Sequence, residues 1–120
     1  MSRPLRLGVL ASGSGTNLQA IIENCQEGAI DASIALVLTN NPDAGALERA
    51  GKAGIPTQCI NHREFNSRED FDRAVVAALQ AADVELVVLA GFMRIITQTF
   101  LDAFPHRIIN IHPALLPAFP

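Results

Sequence analysis

At 120 residues the chain fits one domain and leaves no room for a second of ordinary size. Apolar residues make up 49% and charged residues 18%, with no low-complexity tract, so a disordered chain is excluded. Twelve acidic against nine basic residues give a net charge of -3, and the bases are scattered, which argues against binding to nucleic acid. Six Phe with no Trp or Tyr also leave few platforms on which bases could stack.

In chain order, apolar runs of strand length alternate with segments of helical period, the signature of a parallel sheet with crossover helices. The expected fold class is α/β: an open, doubly wound, mostly parallel sheet of about five strands. Residues 5–11 form the first strand and end in Ser12-Gly-Ser-Gly-Thr-Asn17. Leu18, Ile21, Ile22 and Cys25 then recur at i, i+3, i+4 and i+7 and predict an amphipathic helix closed by Gly28. The second strand, 33–39, is almost wholly apolar, as a strand covered by helices on both faces should be, and Asn40-Asn-Pro-Asp43 breaks it. A short helix over 44–53 stops at Gly54, and 55–60 predicts a third strand, with Pro56 near its start. Ser67 stands three positions before Asp70, like a capping box, and opens a helix to about Ala82 whose stripe is Phe71, Val75, Ala78 and Leu79. Residues 86–90 predict a buried strand running into Gly91 and a loop over 92–96. A helix over 97–104 is ended by Pro105, and 107–112 forms the fifth strand. The three prolines in residues 113–120 cannot continue it.

Cys25 and Cys59 lie 34 positions apart without metal spacing and are expected to be buried free thiols in a reducing compartment. The N-terminus has a basic flank, but its apolar run is broken by Gly8 and ends after Ala11, too short for a signal-peptide core. No apolar stretch approaches the roughly 18 residues of a membrane span. The expectation is a cytoplasmic chain that acts on small molecules, with no membrane or metal, and with its oligomeric state open. Ile109 and Ile111 would leave an apolar edge strand with nothing after it to cover it. The 120 residues are therefore expected to be the front part of a longer chain that stops within a loop. A sheet complete with five strands is the alternative.

Gly13 and Gly15 lie at a strand-to-helix turn, where bare backbone N–H groups and the positive helix end can receive a phosphate. Ser12, Ser14, Thr16 and Asn17 add donors. No Gly-Lys follows, so this is not a Walker loop. Leu18 takes the third glycine position of the dinucleotide fingerprint, and the second strand ends in Asn40 and Asn41 where that fingerprint wants an acid. A monophosphate suits the turn better, and an ordinary glycine turn before a helix is the alternative. Asn110 and His112 are two apart in an extended segment and share a face, opposite Ile109 and Ile111. A carboxamide and an imidazole together suit a reaction that develops negative oxygen, the first as donor and the second as donor or proton carrier. A structural role for a histidine at a strand end is the other reading. Arg68 in the first turn of a helix opposes the helix dipole, which a nearby anion or an ion pair with Glu64 or Asp72 would explain. Arg94 invites a salt bridge to a neighbouring loop, Phe92 and Met93 could be core, and His62 and His106 fall in polar loops as surface residues.

Three segments together, ASGSGTNLQAII at 11–22, VVLAGFMRII at 87–96 and INIHPALLP at 109–117, closely resemble the phosphoribosylglycinamide formyltransferase family. The third is shared with other formyl-tetrahydrofolate enzymes, and the glycine loop narrows the choice. The resemblance implies a Rossmann-like formyltransferase fold. It also implies transfer of a formyl group from 10-formyltetrahydrofolate, as co-substrate, to the amine of glycinamide ribonucleotide in purine biosynthesis. It places the substrate phosphate on Gly15, Thr16 and Asn17, and folate on Arg68, Met93, Arg94, Ile95, Ile96 and Asn110. Asn110 lies by the formyl group, and His112 is the general acid. The family pairs that histidine with an aspartate further along, whereas no acid follows Asp102 here, so weak or absent activity is expected of the 120 residues alone. The competing readings are another formyltetrahydrofolate-dependent formyltransferase or deformylase, and a noncatalytic phosphate-binding module.

Overall fold

The computed structural model describes residues 3–94 and 96–111. Five strands and four helices alternate: β1 (Leu5–Leu10), α1 (Thr16–Gln26), β2 (Ala32–Thr39), α2 (Gly45–Lys52), β3 (Thr57–Cys59), α3 (Arg68–Ala81), β4 (Leu86–Ala90), α4 (Gln98–Ala103) and β5 (Ile108–Ile111). A 3-10 turn, His62–Glu64, lies between β3 and α3 and was not anticipated from the sequence. All strand pairs are parallel, in the order β3-β2-β1-β4-β5. The chain winds outward from β1 through β2 to β3, then returns to the other side of β1 for β4 and β5. The order therefore reverses between β1 and β4.

Both sheet faces are covered, and alternate residues of β1, β2 and β4 feed two cores. Leu7, Val9, Val37 and Val88 meet Leu18, Ile21 and Ile22 of α1 and Ala46 and Ala50 of α2. Leu10, Leu36, Leu38, Val87 and Leu89 meet Phe71, Val75 and Leu79 of α3 and Phe100 of α4. On this second face Gly8 lies against Leu79 of α3 and Val84, which stands between α3 and β4. A Cβ there would stand 2.7 Å from Leu79 and 2.9 Å from both methyls of Val84. β1 is also irregular at this point, its partner on β2 passing from Ile34 opposite Leu7 to Leu36 opposite Gly8.

Several expectations need correction. β3 is three residues rather than six, and all three are exposed. Pro56 has no N–H to pair, although its carbonyl still accepts from Val37 N–H at 3.0 Å. Neither cysteine is fully buried: Cys25 is half-buried and Cys59 exposed, both free. Both thiols are held above the usual cysteine value, Cys25 by partial burial, and Cys59 by partial burial followed by the charges of Glu64 and Asp43. The buried residues of α3 are Phe71, Asp72, Val75, Val76 and Leu79, with Ala78 half-buried against the same core, so the expected stripe holds but also carries a carboxylate. Ser67 does cap α3, accepting from Asp70 N–H at 3.1 Å. No helix among the described residues is long and apolar enough to cross a membrane.

Glu85, just before β4, ties down the N-terminal segment. Its carboxylate accepts from both terminal nitrogens of Arg3 at 2.9 and 3.0 Å and from Arg6 N–H at 2.9 Å. The Arg3 hydrogen bonds, followed by the Arg6 backbone bond, hold its carboxyl below the usual glutamate value. A folded-state value below the unfolded one adds stability above the unfolded value and loses it as pH falls through the folded one. In denaturant unfolding, Glu85→Gln should be less stable than the parent at neutral pH, and the difference should shrink through the acid range. Gly8→Ala should cost about 1–3 kcal/mol in the same measurement, from overpacking against Leu79 and Val84.

Candidate active site

In an open parallel sheet, ligands bind beyond the carboxyl ends of the strands, where strand order reverses. Here that place lies between the loops following β1 and β4, and the two are joined directly. Ser12 N–H donates to the Gly91 carbonyl at 3.2 Å, and Met93 N–H donates to Ser12 Oγ at 2.8 Å. Because Ser12 Oγ accepts from Met93, its own proton is free to go to Asn40 Oδ1, at 2.7 Å. That fixes the Asn40 amide and leaves its Nδ2 to donate to His62 Nδ1 at 3.3 Å, so Nδ1 is the accepting nitrogen. A polar chain thus runs across the top of the sheet from the β4 loop through β1 and β2 to the 3-10 turn. With Asn41, Asp43, Asn61 and Arg63 it lines a cleft of about 490 Å³.

The glycine turn is built against α2. Gly15 has φ +83°, and a Cβ there would lie 2.8 Å from the Ala46 backbone, so both the left-handed conformation and the packing call for glycine. The Gly13 carbonyl accepts from Ala46 N–H at 3.2 Å, and the Ser14 carbonyl accepts from Arg49 Nε at 2.7 Å. The turn's carbonyls are thereby held toward α2. Helix α1 begins at Thr16 with no side-chain cap and no acidic residue in its first turn, and its first backbone bond is Gln19 N–H to the Gly15 carbonyl at 2.8 Å. The N–H groups of residues 16–18 come before that bond and have no partner within the helix. A Cβ on Gly13 would meet nothing within 4 Å, so the space over the turn is open. Gln19, Arg49 and Lys52 border a neighbouring hollow of about 370 Å³.

The other anticipated residues fall around this point. Met93 is 81% exposed and is not core, whereas Phe92 and Ile96 are half-buried against the α3 and α4 core. The Arg94 guanidinium lies 5.6 Å from the centre of the Phe71 ring, in place of the expected salt bridge, and its Nε is buried without a hydrogen-bond partner among the described residues. Arg68 is exposed at the first position of α3 and forms neither expected pair: Glu64 does not reach it, and the Asp72 carboxylate accepts from Thr97 instead. Asn110 is exposed on β5, beside Leu89 of β4, which in turn lies beside Leu10 of β1. It is therefore level with the end of β1, two strand spacings or roughly 10 Å away. Its register puts it on the face of Ile108, opposite Ile109 and Ile111. Ile95 and His112 lie outside the described residues, and the pairing of Asn110 with His112 rests on the sequence alone.

His62 is the clearest correction. It is half-buried, bonded to Asn40, and edge-on to Phe71 at 6.4 Å, rather than an unpartnered surface residue. The Ser12 hydroxyl, counted from the sequence among the phosphate donors, points instead to Asn40. Asp72, expected from the sequence only as an exposed partner for Arg68, is buried; it falls with Val75, Val76 and Leu79 at i, i+3, i+4 and i+7, a charge on an apolar stripe that could have drawn notice.

The open α/β sheet thus sets an uncapped, glycine-turned helix start at its switch point. Residues 5–120 match the formyl transferase family model, and the chain belongs to that family. It is 43% identical over 116 residues to the phosphoribosylglycinamide formyltransferase of Escherichia coli, covering 97% of this chain and 55% of that protein. It is 45% identical over 120 residues to the trifunctional purine biosynthetic protein adenosine-3 of Drosophila melanogaster, covering 98% of this chain and 9% of that protein. The crystal structure of glycinamide ribonucleotide transformylase 1 from Symbiobacterium toebii superposes with a TM-score of 0.92 at 50% identity, over 100% of this chain and 57% of that one. The chain thus spans little more than half the length of these single-function relatives.

Gly15→Ala should strain the turn and force it from Ala46, lowering stability by about 1–3 kcal/mol in denaturant unfolding.

Proposed function

We propose that this chain carries the phosphate-receiving and folate-receiving half of a phosphoribosylglycinamide formyltransferase. The observation that carries the reading is the bare N-terminus of α1 behind Gly15, which opens beside the β4 loop at the switch point of a formyl transferase family fold. The substrate phosphate is assigned to Gly15, Thr16 and Asn17, where backbone N–H groups and the helix dipole favour an anion. Folate is assigned to Arg68, to Met93, Arg94, Ile95 and Ile96, and to Asn110.

The substrate amine attacks the formyl carbon of 10-formyltetrahydrofolate, and the carbonyl electrons move to oxygen. Asn110 donates to that oxyanion and a protonated His112 supports it. As the intermediate collapses, the bond to N10 breaks and the nitrogen leaves with a proton from His112; the attacking amine gives up a proton in turn, which returns through solvent to the imidazole, and tetrahydrofolate and the formylated amine separate. No covalent nucleophile of the protein is needed, because the substrate amine itself attacks the formyl carbon. The site calls for no metal, and two free cysteines suit a cytoplasmic setting.

In the full native chain, His112→Ala and Asn110→Ala should each lower kcat by about 10²-fold or more while leaving glycinamide ribonucleotide binding intact. Unchanged turnover in His112→Ala would overturn the assignment. Replacing Gly15 and Asn17 together should raise KM for glycinamide ribonucleotide more than KM for formyl folate. A preference for another amine acceptor, measured under the same conditions, would favour a related formyltransferase.

A further inference from the structure

We infer that Ser12 and Asp72 are positioning residues for the loop between β4 and α4, holding in place the stretch that receives folate. The inference rests on the folate reading of residues 93–96.

Both side chains are polar groups in the interior, with Ser12 8% and Asp72 2% exposed, and each accepts a hydrogen bond from a backbone N–H of this loop or its end. At the front end, Ser12 Oγ accepts from Met93 N–H at 2.8 Å and is itself oriented by Asn40 at 2.7 Å. Met93 is 81% exposed, so the bond restrains the main chain and leaves the side chain free to meet a ligand. At the rear end, Asp72 Oδ2 accepts from Thr97 N–H at 2.8 Å and from Thr97 Oγ1–H at 2.7 Å. Thr97 stands at the start of α4 but does not cap it with its own hydroxyl, which goes to Asp72 instead. Arg94 and Ile96 lie between these two fixed amides.

The Asp72 anchor also sets the loop relative to α3. Arg94 packs over Phe71, the neighbour of Asp72, and Arg68 opens the same helix. An Arg68 on α3 and a loop fastened to α3 keep a fixed relation. The two parts of the proposed folate site are thus arranged before ligand arrives, and binding need not order the loop. A carboxylate serving only to cap α4 would affect stability and nothing else.

The test is calorimetric titration of the full native chain with tetrahydrofolate and, separately, with glycinamide ribonucleotide. Asp72→Ala and Ser12→Ala should each weaken tetrahydrofolate binding by about tenfold, the scale of a lost buried hydrogen bond to a polar or charged partner. With Asp72→Ala, glycinamide ribonucleotide affinity should stay within about twofold, and Asp72→Asn, which keeps an oxygen facing Thr97, should recover most of the loss. A folded Asp72→Ala that melts lower but binds tetrahydrofolate like the parent would overturn the inference and leave the folate reading standing. A parent chain that does not bind tetrahydrofolate would overturn the folate reading and this inference with it. If Asp72→Ala does not fold, Thr97→Val deletes only the hydroxyl bond and should weaken binding by about threefold; parental affinity there counts against the inference.

Discussion

Ser12 stands where two parallel neighbours, β1 and β4, part into connections that run in opposite directions. Its backbone donates to Gly91 and its hydroxyl receives Met93, so one small residue closes a gap that the sheet's own ladder cannot reach. The glycine turn begins at the next residue and the β4 loop is held from the other side. Both therefore take their positions from the same point. The proton of that hydroxyl is passed to Asn40, and the order of donors continues outward to His62. Each buried polar group in the row has its partner, which is the condition for such a row to stiffen the structure rather than weaken it.

The sheet explains why this point matters more than the turn alone. Asn110 lies on β5, with β4 between it and β1. Any ligand that spans from the α1 N-terminus to Asn110 must pass over the end of β4, and so over Met93 and its neighbours. A loop displaced there by an ångström would disturb the alignment of groups on both sides, and reaction rates respond steeply to such displacement. On the proposed assignment of phosphate and folate, the β4 loop is the shared wall of the two binding regions.

Much of this was legible in the sequence, and the limits follow from range. Hydrophobic period placed β4 at the residues it occupies and set α1 and α3 within a few positions, because a helix or buried strand is written in contiguous residues. Gly15 was legible as a turn, since a left-handed residue before a helix has a local signature. The third strand was overestimated because Ile55 and Ile60 are apolar for packing reasons while the edge between them is solvated. Least legible was the polar row. Ser12 to Asn40, Asn40 to His62, and Met93 to Ser12 are separated by 28, 22 and 81 positions, and no periodicity links them. A lone His in a polar segment looks like surface until the fold sets an Asn beside it.

Asp72 shows how a locally unfavourable choice can have a structural reason. A carboxylate on the apolar face of α3 must give up its hydration, and a well-packed apolar side chain there would often be as stable or more so. An apolar contact, however, is nondirectional; it would press α4 against α3 without fixing how the chain enters it. Two hydrogen bonds to one threonine, from its N–H and its hydroxyl, set both the position and the heading of the backbone as it leaves the loop. The charge is therefore better understood as a constraint on geometry than as a source of stability. The neighbouring Phe71 ring adds to the same constraint, meeting the Arg94 guanidinium and, at a right angle, the His62 imidazole. Through that ring the rear anchor of the loop meets the outer end of the Ser12 row, and the two buried polar systems enclose the loop as one unit.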